Sequence, residues 1–325
     1  MASRRTSIRS KAVQLAQGVL FDSPLTGRVN SEHNLMLYPF FDLSRNAERK
    51  RLSFIDHNVK IEVRAMEGQG IATIYDRDLI IYAASIIVEK IERGEVPSRE
   101  LIFTANDFFR VASRDTSKNS YELLEGVVER LKSTTIKTNI ETGGQGVTGW
   151  FNWLSEGTQL VYDIDPETGK RTLRAVRIVL CEWLFRAILR DRRMLAVPHC
   201  YFDLCPIDRR LWDLCRVNCQ EGEMWRPTMQ ELHRSVGSDT TIADFKKSVV
   251  AAAERNALPS FSIHLTDERA HVGERRRGRP SVATQIVEFR PTADRFECST
   301  PIRSNRNRRT STLNEGTGDM LSAIP

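Results

Sequence analysis

Two short helices joined at a single glycine constrain the fold of this chain more than any other feature of its sequence. The first is predicted over residues 227–236, where a leading proline and the spacing Thr228-x-x-Glu231 form a helix start. Gly237 supplies the turn, and the second helix is predicted over residues 239–256. The pattern predicts a helix-turn-helix, although a helical hairpin inside any α-rich core has the same pattern. The apolar side chains predicted to face inward are Met229, Leu232, Val236, Ile242, Phe245, Val249, Ala252 and Ala253.

A pair of strands with an arginine-rich connection follows the two helices. Residues 261–265 and 285–289 alternate between apolar and polar side chains, which predicts the two strands of a hairpin. The connection contains Arg-Gly-Arg-Pro at 277–280, the core of a hook that inserts arginine into the narrow minor groove of A·T-rich DNA. A hairpin in this position is the wing of a winged helix. The loop arginines predicted to contact DNA are Arg275, Arg276, Arg277 and Arg279.

Positive charge is concentrated in this loop and at the two ends of the chain. The 325 residues have a net charge of +6, and residues 271–310 alone contain ten arginines and four acidic residues. Residues 1–11 add four further cations, so the remainder is slightly acidic. Clustered cations are typical of proteins that bind polyanions such as DNA, although solvated tails that only keep a protein soluble have the same composition.

The outward side of the second helix carries further groups predicted to contact double-stranded DNA. The major groove is about 12 Å wide and admits one helix. Hydroxyls at the start of that helix suit base edges or phosphates, and lysines suit phosphates. The predicted contacts are Ser238, Thr240, Thr241, Lys246, Lys247 and Arg255.

A comparable order of elements occurs earlier in the chain. After a strand-like segment over residues 51–64, a strongly apolar helix is predicted over 78–92. A short strand, a helix that begins at Thr104 and a helix over 118–132 follow, and the segment 134–140 alternates like a strand. Helix, strand, helix, helix and strand hairpin is the order of a winged helix.

The outer side of the helix at 118–132 is acidic, which opposes phosphate binding. This part is therefore predicted either to contact the DNA backbone weakly or to form a protein–protein interface. The candidates for that interface are the long apolar helix at 78–92 and the aromatic residues Trp150, Phe151 and Trp153, and ordinary core packing is the alternative. The predicted backbone contacts are Lys118 and Asn119 at the helix start and Lys137 in the wing.

These observations predict an α+β fold with two tandem winged-helix domains and flexible basic termini. Ordered structure is expected to begin near Leu35. The predicted divisions are a flexible basic arm at 1–30, a first winged-helix domain at 31–182, a second at 183–297 and a disordered basic tail at 298–325.

Signatures of catalysis, cofactors and metal sites are weak. The chain has no Gly-x4-Gly-Lys-Ser/Thr phosphate loop and no His-x-His pair, so neither an enzyme nor a cofactor is expected. The spacings Cys200-x4-Cys205 and Cys215-x3-Cys219 are open to zinc, but Cys215 on an apolar helix face is expected to behave as a small hydrophobe. No run of 18 uncharged apolar residues suits a membrane span, so a cytoplasmic protein is expected.

Three stretches of the chain resemble a known family. Leu-Ser-Phe-Ile-Asp-His-Asn-Val-Lys-Ile-Glu-Val at 52–63 and the segments at 72–85 and 130–139 resemble the replication initiator protein A family of bacterial plasmids. The likeness extends over about residues 35–289. It implies two winged-helix domains that bind repeated origin sequences and recruit host replication proteins. It also implies an equilibrium between an initiating monomer and a dimer, formed through the first domain, that represses its own promoter.

Two other functions are compatible with the same residues. A winged-helix transcriptional regulator without an initiator role has the same DNA-binding parts. An adaptor that binds a polymerase or helicase, with incidental basic tails, belongs to a different class and predicts no specific DNA site.

Overall fold

The computed structural model describes residues 21–146, 149–219, 222–269 and 281–292. These residues form a mixed α/β structure of helices and short antiparallel sheets around one continuous apolar core. None of the helices in this part of the chain is long and apolar enough to cross a membrane. The predicted tail and most of the predicted arm lie outside the described residues. We call residues 21–191 the first unit and residues 194–292 the second unit.

The segment before the first helix is folded onto the first unit. Leu25 is 2% exposed, and its backbone N–H donates to the carboxylate of Asp107 at 3.1 Å. Strand β1 (Asn30–Glu32) then leads into helix α1 (His33–Leu37). The prediction that ordered structure begins near Leu35 is therefore wrong. Long-range polar contacts fix this segment, and such contacts leave no periodic pattern in the sequence.

The strand-like segment at 51–64 is a hairpin. Strands β2 (Arg51–Asp56) and β3 (Val59–Arg64) pair antiparallel in continuous register. His57 turns the chain with a φ of 46°, in the left-handed region. The two-residue turn contains neither glycine nor proline, so the sequence does not mark where one strand ends and the next begins.

Three helices and a strand form the centre of the first unit. Helix α2 (Arg77–Glu92) is buried on almost every side, as its apolar sequence predicts. Strand β4 (Glu100–Phe103) follows, and helix α3 (Ala105–Val111) begins where the Thr104 side chain accepts a backbone N–H three residues ahead. Helix α4 (Lys118–Ser133) completes the group. The predicted order of elements is confirmed here.

The strand after α4 does not belong to a wing. Strand β5 (Thr135–Thr138) pairs with β3 and with the short strand β6 (Phe151–Asn152). The result is a four-stranded sheet in the order β2-β3-β5-β6. The predicted placement of Lys137 in a wing is therefore wrong. Alternation identifies a strand but not its pairing partner, which here lies far earlier in the chain.

The hairpin of the first unit comes later. Strands β7 (Gln159–Ile164) and β8 (Arg171–Val179) pair antiparallel, and β8 also pairs with β4. The resulting three-stranded sheet has the order β4-β8-β7. In the connecting turn the Asp165 carboxylate accepts a backbone N–H from Glu167 at 2.9 Å. The hairpin position in the predicted order is thus filled by β7 and β8.

A short connection joins the two units. Helix α5 (Glu182–Arg186) continues into a π-helical turn (Ala187–Asp191). Strand β9 (Met194–Ala196) then pairs with β1, and a 3₁₀ turn (His199–Asp203) follows. Because β1 precedes the body of the first unit and β9 follows it, this pairing brings the two ends of that unit together.

Three helices and a hairpin form the second unit. Helices α6 (Pro206–Asn218), α7 (Met229–Val236) and α8 (Ile242–Glu254) follow the predicted order, although α8 begins three residues later than predicted. Strands β10 (Phe261–Arg269) and β11 (Gln285–Pro291) form the predicted hairpin, and they are joined by residues outside the described part.

Charged side chains are buried where α2 meets α6. Arg77 donates to both oxygens of Asp213, at 2.6 and 2.8 Å, and to the hydroxyl of Tyr201 at 2.5 Å. Arg209 donates to the carboxylate of Asp78 at 2.6 Å. The four charged side chains are at most 2% exposed. The two units therefore meet across a buried polar interface as well as an apolar core.

Candidate nucleic-acid interface

The helix-turn-helix of the second unit is fixed by its own termini. The Thr228 hydroxyl accepts the backbone N–H of Glu231 at 3.2 Å, and the Glu231 carboxylate accepts the backbone N–H of Thr228 at 2.8 Å. This reciprocal capping box was predicted from the spacing. Gly237 ends α7 with a φ of 75°, a left-handed conformation that glycine adopts without strain.

Residues of the first unit support this turn. The Arg49 guanidinium donates to the Gly237 carbonyl at 3.0 Å. A Cβ at position 237 would lie 2.4 Å from the Cβ of Pro39, so only glycine fits there. The Arg234 side chain, near the end of α7, also pairs with Asp56 of the first unit at 3.3 Å. The orientation of α7 and α8 is thus set partly by the first unit.

Three of the predicted contacts are hydroxyls at the start of α8. Thr241 caps the helix, because its hydroxyl accepts the backbone N–H of Asp244 at 3.2 Å. The same hydroxyl donates to the Asp244 carboxylate at 2.8 Å. Ser238 and Thr240 hydrogen-bond to each other at 2.9 Å. The structure brings these three hydroxyls together at one end of the helix, and their contact with DNA stays a prediction.

Lys246 and Lys247 lie one turn further along α8. Lys247 is exposed and pairs with Asp244 at 2.8 Å, which raises the pKa of the lysine and lowers that of the aspartate. Lys246 is half-buried. The sequence-based prediction missed Asp244, which faces the same surface. Its position three residues before Lys247 is a helical ion-pair spacing that could have identified it.

Arg255 does not join this group. It caps the opposite end of α8 and pairs with Asp208 at the start of α6, at 3.1 Å. At 1.5 Å per residue, a 13-residue helix places it about 20 Å from the hydroxyls of residues 238–241. Arg255 is still 54% exposed, so it lies on the same unit but at a separate point of the surface.

The predicted wing arginines lie in the connection between strands β10 and β11 of the second unit. Arg275, Arg276, Arg277 and Arg279 lie outside the described residues, so the minor-groove hook stays a prediction. The strands on either side are described, and Arg269 of β10 pairs with Gln285 of β11 at their near ends. At the base of the hairpin Arg226 and Arg290 both contact Glu288.

The corresponding surface of the first unit is less suited to phosphate. Lys118 and Asn119 are exposed at the start of α4, and Lys118 pairs with Glu122 at 3.4 Å. Hydrogen bonds from Ser117 and Ser120 lower the pKa of nearby Asp115 to about 2, so this carboxylate is ionised at neutral pH. The helix start therefore combines cations and anions.

The β7–β8 hairpin of the first unit carries cations that the sequence-based prediction missed. Lys170 and Arg171 follow the turn and are exposed, and Arg171 lies 4.3 Å over the ring of Tyr162. Arg174 pairs loosely with Asp163 at 3.5 Å. The signal for this hairpin is the turn sequence Asp-Pro-Glu-Thr-Gly-Lys at 165–170, which separates two alternating segments.

Lys137 lies on a different surface from the other predicted contacts. It pairs across the four-stranded sheet with Glu62 of β3, and its ammonium lies 5.7 Å from the ring centre of Trp150. Trp153 is fully buried in the core and Phe151, which is half-buried, packs against it, so ordinary packing accounts for these two aromatic rings. Trp150 is 41% exposed.

Only some of the cysteines at and near α6 are buried. Cys215 is fully buried, as its apolar helix face predicts, and burial raises the pKa of its thiol well above the ordinary value. Cys205 donates to Asp208 at 3.0 Å. Among the described residues, no group of three or more His, Cys, Asp or Glu side chains is arranged to hold a metal ion.

Comparisons with known proteins cover most of the chain. The family described as Replication initiator protein A matches residues 30–263. A protein of Wigglesworthia glossinidia brevipalpis named "Putative replication protein" is 30% identical over 230 residues, which is 70% of this chain and 82% of that protein.

Solved structures with a similar arrangement have low sequence identity. Domains 2 and 3 of RctB match with a TM-score of 0.49 and 12% identity, over 77% of this chain and 93% of theirs. The Pi initiator protein in complex with iteron DNA matches with a TM-score of 0.43 and 15% identity, over 68% of this chain and 91% of its own. At these values no detail is transferred from them.

Proposed function

The chain belongs to the replication initiator protein A family, and we propose that it binds repeated double-stranded origin sequences to initiate plasmid replication. The observation that carries this proposal is the second unit, where a capped helix-turn-helix precedes a hairpin whose connection contains four arginines. Helix α8 fits the major groove, and the hairpin reaches the adjacent minor groove.

We propose that both units are winged helices with unequal roles. Each has the order of three helices and a hairpin, with a strand after the first helix in the first unit. The second unit selects the sequence through α8. The first unit contacts the DNA backbone through Lys118, Asn119 and the β7–β8 hairpin. It also provides the contacts for dimerisation and for host replication proteins.

No catalytic group is assigned in this proposal. The chain acts by binding, with a monomer that initiates and a dimer that represses its own promoter. It operates in the bacterial cytoplasm on plasmid DNA. No cofactor is expected in this mechanism, because binding and recruitment use only side chains.

Footprinting on the DNA that flanks the gene tests the proposal. We expect protection of direct repeats spaced by whole helical turns of about 10.5 base pairs, because successive copies then bind the same side of the duplex. The gene and its repeats should also maintain a plasmid that lacks another origin. Protected repeats without plasmid maintenance would identify a transcriptional regulator, and no protected sequence at moderate salt would favour an adaptor.

A further inference from the structure

The four-stranded sheet of the first unit has one buried and one exposed face. Strand register places Leu52, Val63 and Ile136 on the side that packs into the core, all of them at most 1% exposed. The neighbouring positions point to the opposite side. We call that side the outer face, and it consists of Arg51, Ser53, Ile55, Lys60, Glu62, Arg64, Thr135, Lys137, Asn152 and the adjacent Trp150.

The outer face is positively charged. Arg51, Lys60, Arg64 and Lys137 are its cations, and Glu62 is the single acid among these described residues. Glu62 is shared by Arg51 at 2.5 Å and Arg64 at 2.6 Å, so it neutralises one of the two arginines. The net charge of +3 therefore lies within two or three strand spacings of about 4.8 Å each.

An aromatic ring lies among these cations. Trp150 is 41% exposed, the guanidinium carbon of Arg64 lies 4.5 Å from its ring centre, and the ammonium of Lys137 lies 5.7 Å from it. Ile55 is 63% exposed on the same side. Aromatic rings and guanidinium planes both stack on nucleic-acid bases, and flanking cations bind the phosphates between those bases.

We infer that the outer face binds single-stranded DNA, with Trp150 and Arg64 as the stacking platform and Lys60 and Lys137 on the backbone. Stacking on Trp150 needs an unpaired base, so a duplex does not satisfy this surface. A second copy of the same face is disfavoured because two surfaces of charge +3 would repel each other. The site is separate from α8 and does not depend on duplex binding.

Fluorescence anisotropy with the full chain and labelled oligo-dT tests this site. We expect Trp150→Ala to weaken oligo-dT binding about 10-fold, since one stacked base contributes a factor of this order. Affinity for the duplex repeat should stay unchanged. Trp150→Phe should bind oligo-dT within about 3-fold of wild type, and Lys137→Ala should lower the salt slope by about 0.7.

Controls separate stacking from charge and from folding. Leu123→Ala removes a similarly exposed apolar side chain on α4 and should leave oligo-dT binding unchanged. Inorganic polyphosphate carries charge without bases, so Trp150→Ala should not alter its affinity. The inference is overturned if Trp150→Ala weakens the binding of oligo-dT less than 2-fold, or if it weakens the binding of polyphosphate as much as that of oligo-dT. It is also overturned if the variant changes the sedimentation of the protein, which would make this face an interface between copies.

Lys247→Ala distinguishes this site from the proposed origin binding. The loss of the lysine charge should weaken binding to the duplex repeat and leave binding to oligo-dT unchanged. If neither variant changes binding to the duplex but Trp150→Ala weakens binding to oligo-dT, the single-strand site is supported and the proposed role of α8 is wrong.

Discussion

The buried ion pair between Arg77 and Asp213 tests how the two units are joined. The two side chains are 1% and 0% exposed, and the guanidinium donates to both carboxylate oxygens. Burial alone lowers the pKa of Arg77, but Asp213 beside it raises the pKa above its ordinary value, so the arginine stays charged. In an Asp213→Ala variant the buried cation keeps the Tyr201 hydroxyl and the Leu35 carbonyl as acceptors, neither of which carries a charge.

The expected cost is large because two buried cations, Arg77 and Arg210, lose the carboxylate that they share in the core. Removing one partner of a buried ion pair costs about 3–5 kcal/mol. Domains have free energies of unfolding of about 5–15 kcal/mol, so the variant loses a large fraction of the total. Urea denaturation of wild type and Asp213→Ala, followed by circular dichroism, measures this difference.

An exposed pair of similar geometry provides the control. Arg177 donates to both oxygens of Glu100 at 3.0 and 2.8 Å, but these side chains are 34% and 39% exposed. Glu100→Ala should therefore cost only about 0–1 kcal/mol. The double variant Arg77→Met, Asp213→Leu removes both charges but leaves buried Arg210, which lies 4.0 Å from Asp213, without its acid, so it should recover only part of the lost stability. If Asp213→Ala costs no more than Glu100→Ala, burial does not govern the strength of these pairs.

Four further substitutions test the candidate interface and the connection between units. Gly237→Ala places a Cβ 2.4 Å from the Cβ of Pro39 at a positive φ. The left-handed conformation alone costs about 1–2 kcal/mol and the overlap adds to it, so we expect a loss of more than about 2 kcal/mol in urea denaturation together with weaker binding to the duplex repeat. Lys246→Ala and Lys247→Ala should each lower the salt slope of duplex binding by about one unit, and an unchanged slope would remove that lysine from the interface. Burial raises the pKa of Glu32 from its ordinary value of 4.5 to about 7, so its neutral form favours the folded state. That contribution is complete below about pH 4.5 and is lost as the pH rises to about 7, by up to about 3 kcal/mol. Glu32→Gln should flatten the pH dependence of the urea midpoint in this range, and an unaltered dependence would contradict it.

The parts of the fold that the sequence predicts well are those fixed by neighbours along the chain. Thr228 and Glu231 form a capping box, and Gly237 ends α7 in the left-handed conformation, because these groups interact within one helical turn. The apolar stripe of α2 is equally local. Such contacts depend on spacing alone, so spacing is enough to predict them.

The parts that the sequence does not predict depend on distant partners. Strand β5 pairs with β3 rather than with a wing strand, and alternation is identical in both cases. Arg77 and Asp213 resemble ordinary surface charges in the sequence, yet they are buried because each finds the other 136 residues away. A charge is expected at the surface unless its partner is known, and the partner is a tertiary property.

The candidate interface combines both kinds of constraint. Capping fixes the length of α7 and α8, so the sequence predicts that a second-unit helix-turn-helix exists. The orientation of the helix-turn-helix cannot be predicted in the same way, because Arg49 donates to the Gly237 carbonyl and Pro39 occupies the space beside that glycine. Both residues belong to the first unit and lie about two hundred positions earlier in the chain. The direction in which α8 faces is therefore a property of the two units together, and under the proposed function substitutions at Arg49 should alter duplex binding through the orientation of α8.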